Sequence, residues 1–168
     1  MRHSLTILPA FAVALMMGTV GLPINSARAA DGCSEQLFRD FLAGWSHEMP
    51  KLIGALTDDV VYEDKTVPAN LHGKKEVQDF AQAWFNAFPD MSFTLTSFII
   101  DGNRGAMEWT STGTHKGDMP GMPASNKVYK IPGVSIVECS NGKITHDADY
   151  WDNATVMRQL GFLPQPTQ

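Results

Sequence analysis

The main change in the spacing of apolar residues along this chain falls at Pro89-Asp90, and it limits the folds open to the chain more than any single motif. Before it, apolar residues recur every three or four positions. Leu37, Phe38, Phe41, Leu42 and Trp45 do so over 34–47; Leu52, Ile53 and Leu56 follow behind Pro50; Val77, Phe80, Ala81, Trp84, Phe85 and Phe88 do so over 74–88. Each set lines one face of a helix. The second helix is expected to end near Thr57-Asp58-Asp59, residues 60–63 read as a short strand, and Pro89 stops the third helix. After Asp90 alternation takes over, predicting strands over 93–100, 106–115, 127–139 and 144–151. Asp101-Gly102-Asn103, a loop over 116–125 and the hairpin signal Asn141-Gly142 separate them, and Pro132-Gly133 interrupts the third strand. A last helix covers 154–160, closed by Gly161. Helices first and a meander afterwards predict an α+β domain in which a curved antiparallel sheet wraps three N-terminal helices as a cone. The open end of such a cone is a natural apolar pocket.

Residues 1–29 fall outside this pattern. A polar start at Arg2-His3, an apolar stretch over 5–20 and the small-x-small run Ala27-Arg28-Ala29 read as a signal peptide, leaving 30–168 as one domain. The apolar run is too short to cross about 30 Å of hydrocarbon, so no membrane insertion is expected after cleavage. The protein is then exported, periplasmic or secreted. Cleavage removes two of 13 basic residues and none of 18 acidic ones, which deepens a formal charge of −5. An acidic chain without a basic block lacks the footprint for nucleic acid, and the expected partner is a small molecule. In an oxidising compartment Cys33 and Cys139 are expected to form a disulfide, with two buried free thiols as the alternative. Two cysteines without CxxC or paired histidines make no metal site.

Strand parity assigns faces. Met107, Trp109, Ser111, Gly113 and His115 share one face of their strand, and Asp147, Asp149 and Trp151 share one face of the last. Two neighbouring carboxylates on a half-buried face raise at least one pKa by repulsion, which is how a general acid or base is made near neutral pH. Asp149 is the candidate base, Asp147 the carboxylate that tunes it, and His115 a polarising group or proton shuttle. The Tyr62 phenol can bind a carbonyl or enolate oxygen, and Trp84 and Trp109 can flank an aromatic ligand. Met122, in the run Met119-Pro120-Gly121-Met122-Pro123, can cover a cavity mouth. The plainer alternatives are a solvated or paired Asp149, a strand-end His115 bonded to backbone, and core packing for Tyr62 and the tryptophans. His72 reads as a cap or surface residue. GxGxxG, GxxxxGK[ST], HExxH and GxSxG are absent, which removes the nucleotide and serine-hydrolase readings.

Ala87-Phe88-Pro89-Asp90-Met91, Gly113-Thr114-His115-Lys116-Gly117, Asn141-Gly142-Lys143-Ile144 leading into Asp149-Tyr150-Trp151-Asp152, and Gln159-Leu160-Gly161 resemble the SnoaL-like polyketide cyclase family of the nuclear-transport-factor-2-like superfamily. The resemblance covers nearly all of 30–168. It implies a cone-shaped α+β barrel, no cofactor, and an acid/base Asp in the last long strand, which by spacing falls on Asp149. Family members carry His-Trp-Asp where this chain reads Asp147-Ala148-Asp149, so the two positions before the Asp differ. The resulting expectation is an exported, cofactor-independent isomerase, cyclase or lyase acting on a hydrophobic cyclic or aromatic carbonyl compound. The alternative is an exported binding domain that holds a lipophilic ligand without chemistry. A third reading is an interaction module whose exposed sheet face forms a homodimer or docks a partner protein, and since pairing through the sheet is common in the superfamily the resemblance leaves a homodimer open in every case.

Overall fold

Ser34 opens the first helix by accepting the Leu37 N–H, one of the donors that a first turn leaves without an intrahelical partner. The computed structural model describes residues 31–166, so the expected signal peptide lies outside the described residues. Helix α1 (Glu35–Trp45) buries the face formed by Leu37, Phe38, Phe41, Leu42 and Trp45. Gly44 lets α2 (Met49–Ala55) approach, because a Cβ there would strike the Leu52 backbone. Pro50 occupies the first turn of α2, where its missing N–H costs nothing.

The expected extension of α2 to 57–59 is corrected. Strand β1 (Leu56–Asp64) begins directly after Ala55 and buries Val60, Tyr62 and Asp64 in alternation. Its β-branched residues suit a pleated, half-buried surface better than another helical turn. The sequence reading missed β2 (Ala69–His72), which pairs back on β1 from His72 opposite Val61. Helix α3 (Gly73–Ala87) packs Val77, Ala81 and Phe85 inward. Strands β3 (Ser92–Asp101), β4 (Arg104–Thr114), β5 (Val128–Ser140) and β6 (Lys143–Trp151) follow, and α4 (Asn153–Leu160) ends at Gly161 with φ 88°.

The six strands form one curved sheet in the order β2-β1-β6-β5-β4-β3. All neighbours are antiparallel except β1 and β6, which run parallel, so the sheet is mixed rather than wholly antiparallel. The antiparallel neighbours are also successive along the chain, whereas β1 meets β6 from far apart in sequence, where no connecting turn dictates direction. Strand β5 is continuous through Pro132. Its pairing with β6 starts only at Gly133, so the proline's absent donor falls where β5 has β4 as its only strand neighbour.

Burial alternates strictly along β5: Tyr129, Ile131, Gly133, Ser135, Val137 and Cys139 face the helices. Cys33, just before α1, is disulfide-bonded to Cys139 at a Cα separation of 5.3 Å. Closing a loop of 106 residues stabilises by about 4.7 kcal/mol in the chain-entropy account and fastens the first helix to the sheet. Among the described residues, no helix is long and apolar enough to cross a membrane.

Candidate active site

The cross-strand register brings together side chains that lie far apart in sequence. Asp149 on β6 is flanked by Ser135 on β5 and by Asp64 on β1. Tyr62, two residues before Asp64 on the same face of β1, reaches across to Asp149 and donates its hydroxyl to Oδ2 at 2.6 Å. The Ser135 hydroxyl donates to Oδ1, and the Trp109 indole N–H donates to Ser135 Oγ at 2.9 Å. Asp149 is thus gripped on both oxygens, and one of the gripping hydroxyls is itself fixed by an indole. The indole in turn lies flat on Gly133, where any Cβ would occupy the space of its six-membered ring.

Burial pushes the Asp149 carboxyl up to about 6, and the hydroxyls of Ser135 and Tyr62 hold it from going higher. The same burial, and then the charge of Asp149, push the Tyr62 phenol well above its usual value, so it remains a donor. Asp147 shares the strand face as parity predicts, but it is completely buried behind Asp149. Neither of its oxygens has a hydrogen-bond partner among the described residues. Burial first and Asp149 second hold the Asp147 carboxyl well above the ordinary range, which keeps it protonated when Asp149 ionises.

Asp149 opens onto a cavity of about 490 Å³, counting its solvent mouth. Tyr62, Trp84 and Trp109 line it, together with Trp45, Phe80 and Trp151. The walls are therefore largely aromatic. Asp64, also on the wall, accepts the Thr66 and Val67 N–H groups at 2.8 and 3.2 Å and the Trp151 indole at 2.9 Å. It holds the turn after β1 and one aromatic wall in place.

Two candidates stand elsewhere. His115 is fully buried, but it follows the end of β4 and does not line the cavity. Its ring stacks on Phe88 with centroids 5.0 Å apart, and the Ser125 N–H donates to Nδ1 at 3.3 Å. Met122 sits in a tight turn, exchanging backbone hydrogen bonds with Met119, and it too is away from the cavity. The loop over 116–125 is tied to the end of α3, through Lys116 and Gly117 N–H groups on the Ala87 carbonyl. Asp147 is behind the cavity wall rather than part of it.

Ser135, Asp64 and a buried hydroxyl pair, Ser111 and Tyr129, are site groups the sequence reading did not single out. A signal existed for two of them. Ser111 and Ser135 interrupt otherwise apolar inward-facing positions of β4 and β5, and a serine on such a face needs a partner. Among the described residues, no group of three or more His, Cys, Asp or Glu is placed to hold a metal ion.

The family model described as SnoaL-like polyketide cyclase matches residues 35–160. No curated protein matches the chain. Among solved structures, TsrD from Streptomyces laurentii is similar at 26% identity and a TM-score of 0.67, over 76% of this chain and 94% of that one. IdmH from Streptomyces antibioticus is similar at 19% identity and a TM-score of 0.66, over 75% and 96%. A protein with a ketosteroid isomerase-like fold from Catenulispora acidiphila is similar at 20% identity and a TM-score of 0.67, over 79% and 99%. The last two likenesses are of fold.

Proposed function

The chain belongs to the SnoaL-like polyketide cyclase family, and we propose that it is an exported acid/base enzyme that needs no cofactor. It is of the cyclase, isomerase or lyase type, and its substrate is a hydrophobic cyclic or aromatic carbonyl compound. The observation that carries this reading is Asp149, a buried carboxylate on the wall of an aromatic cavity, bonded to two hydroxyls and pushed up to about 6. A base poised just below neutral pH is ionised when needed and returns its proton readily.

In the proposed step, Asp149 takes a proton from a carbon next to a carbonyl, the C–H electron pair becomes the enolate C=C bond, and the carbonyl π pair moves onto oxygen. As the carboxylate becomes neutral its hold on the Tyr62 proton weakens, and the phenol can turn its hydrogen bond to the new enolate oxygen. Protonation at another carbon completes an isomerisation, attack on a second carbonyl closes a ring, and loss of a leaving group gives lyase chemistry. Protonated Asp147 behind Asp149 places no second negative charge against the reacting one. His115 and Met122, being away from the cavity, have no part in this proposal.

The disulfide is compatible with an oxidising compartment and so with export. The outer sheet face carries Ile99 at 73% and Val128 at 59% exposure, along with Ile136 and Tyr150, and this supports pairing of two copies across it.

The test uses β-tetralone, a bicyclic ketone with acidic α-hydrogens, in deuterium oxide. Wild-type protein is expected to accelerate α-deuteration seen by proton NMR, and Asp149→Asn to lose the acceleration. Tetralone that binds wild type and the variant alike, with no acceleration by either, overturns the enzyme in favour of a lipophilic-ligand carrier.

A further inference from the structure

At the other end of the same cavity the Ser111 and Tyr129 hydroxyls face one another at 2.8 Å. Both residues are buried, at 1% and 5% exposure. Two hydroxyls bring two protons, and their mutual hydrogen bond uses one. Neither oxygen has another hydrogen-bond partner among the described residues, so one donor of the pair remains for whatever occupies the cavity. Burial pushes the Tyr129 phenol up to about 12, which keeps that proton in place across the physiological range.

The register sets how far this pair is from Asp149. Ser111 is opposite Ile131 on β5, whereas Asp149 is opposite Ser135. Four residues of strand separate the two levels, or about 13 Å. Between them the floor is apolar, made by Ile131 and the Trp109 indole. A cavity with hydroxyl and carboxyl groups at these two levels and largely aromatic surface between them selects for length as well as for hydrophobicity.

We propose that the Ser111–Tyr129 hydroxyl pair is a second anchoring point, donating one hydrogen bond to an oxygen at the end of the ligand remote from Asp149. The ligand is then an elongated hydrophobic molecule with an oxygen function at each end. A carbonyl or ether oxygen fits the pair, since it can accept without needing to donate. The pair is a specificity determinant for this ligand class rather than part of the proton transfer. This inference rests on the cavity being the ligand site, as proposed above, but does not depend on Asp149 moving a proton.

The probe is prodan, a naphthyl ketone whose emission shifts to longer wavelength when its carbonyl accepts a hydrogen bond. Ser111→Ala and Tyr129→Phe each remove one hydroxyl and little volume, and thermal melts alongside establish that both variants fold. Wild-type protein is expected to bind prodan with red-shifted emission. Tyr129→Phe is expected to bind about tenfold more weakly, the usual worth of one such hydrogen bond, with emission shifted to the blue. Ser111→Ala is expected to move emission the same way by less, because it leaves the phenol in place but unoriented. Lys75→Gln, on the exposed side of α3, is expected to leave the emission unchanged, and Tyr62→Phe, which removes the donor at the opposite end, reports whether the ketone sits there instead.

Equal emission and affinity in wild type and both hydroxyl variants overturns the anchor while leaving Asp149 chemistry untouched. A blue shift confined to Tyr62→Phe overturns it too, by placing the ketone at the Asp149 end. No binding by wild-type protein overturns the anchor and the cavity reading together.

Discussion

Asp149 and His115 are both acid/base groups on the concave side of one sheet, yet the two ends of the sheet treat them in opposite ways. Asp149 has hydroxyl partners on both oxygens and faces an open, aromatic-walled cavity. His115 has an aromatic ring against each face or edge, Phe88 and Phe162, and a Nε2 with no hydrogen-bond partner among the described residues. Burial pushes the carboxylate up into the working range, and it pushes the imidazole down, toward the neutral form. A titratable side chain becomes useful when it is desolvated and accessible at once. At His115 only the first condition holds.

The largest effect that divides the two ends is on rate. Asp149→Asn is expected to cost about 10²- to 10⁴-fold in α-deuteration of tetralone, the usual worth of a positioned base, while His115→Gln stays within about threefold. A loss of similar size in His115→Gln would place the histidine in the proton path and break the comparison.

Next in size is the carboxyl behind the base. The folded-state pKa of Asp147 is raised above its unfolded value, so its contribution to stability is complete below about pH 3.9 and is lost as pH rises through the folded value. Asp147→Asn is therefore expected to be more stable than wild type at neutral pH and equal to it near pH 3. Chemical denaturation at the two pH values checks this. A variant less stable at both would mean that the carboxylate has a partner after all.

Smaller again is the tuning of the base. The Tyr62 and Ser135 hydroxyls lower the Asp149 pKa, so Tyr62→Phe and Ser135→Ala should each move the acid limb of the rate profile above its wild-type position near 6. A limb that stays in place would mean that burial alone sets it. The smallest effect is at the far end. Since burial lowers the His115 pKa, its contribution to stability is present above about pH 6.5 and lost as pH falls below that value. Melts of wild type and His115→Gln should diverge at neutral pH and converge as the solution is acidified. Parallel curves would show the ring to be partnered in its charged form.

The same contrast explains what could be read from the sequence. Periodicity placed the helices and strands because each buries one face, and parity alone set Asp147, Asp149, Trp109 and Ser111 on the inner side. Parity is local, however, and a cavity is not. Whether an inward side chain meets ligand or core depends on where the helices stop covering the sheet. His115, one residue beyond β4, falls under Phe88 and Phe162. The partners of Asp149 were hidden for a related reason. Ser135 and Tyr62 reach it only through the β5–β6 register and the parallel β1–β6 pair, and no residue spacing announces a parallel pairing across more than 80 positions. The disulfide was legible because the described chain offers each cysteine a single partner.

Gly133 gives the site an unexpected point of control. Trp109 rests where a side chain at this position would stand, and the indole orients the Ser135 hydroxyl that holds Asp149. The carboxylate is therefore positioned, at two removes, by a missing methyl group. For anyone reshaping this pocket, Gly133 is a dial rather than a gap: adding one carbon there would retune the base from the backbone side, with every reacting atom left in place.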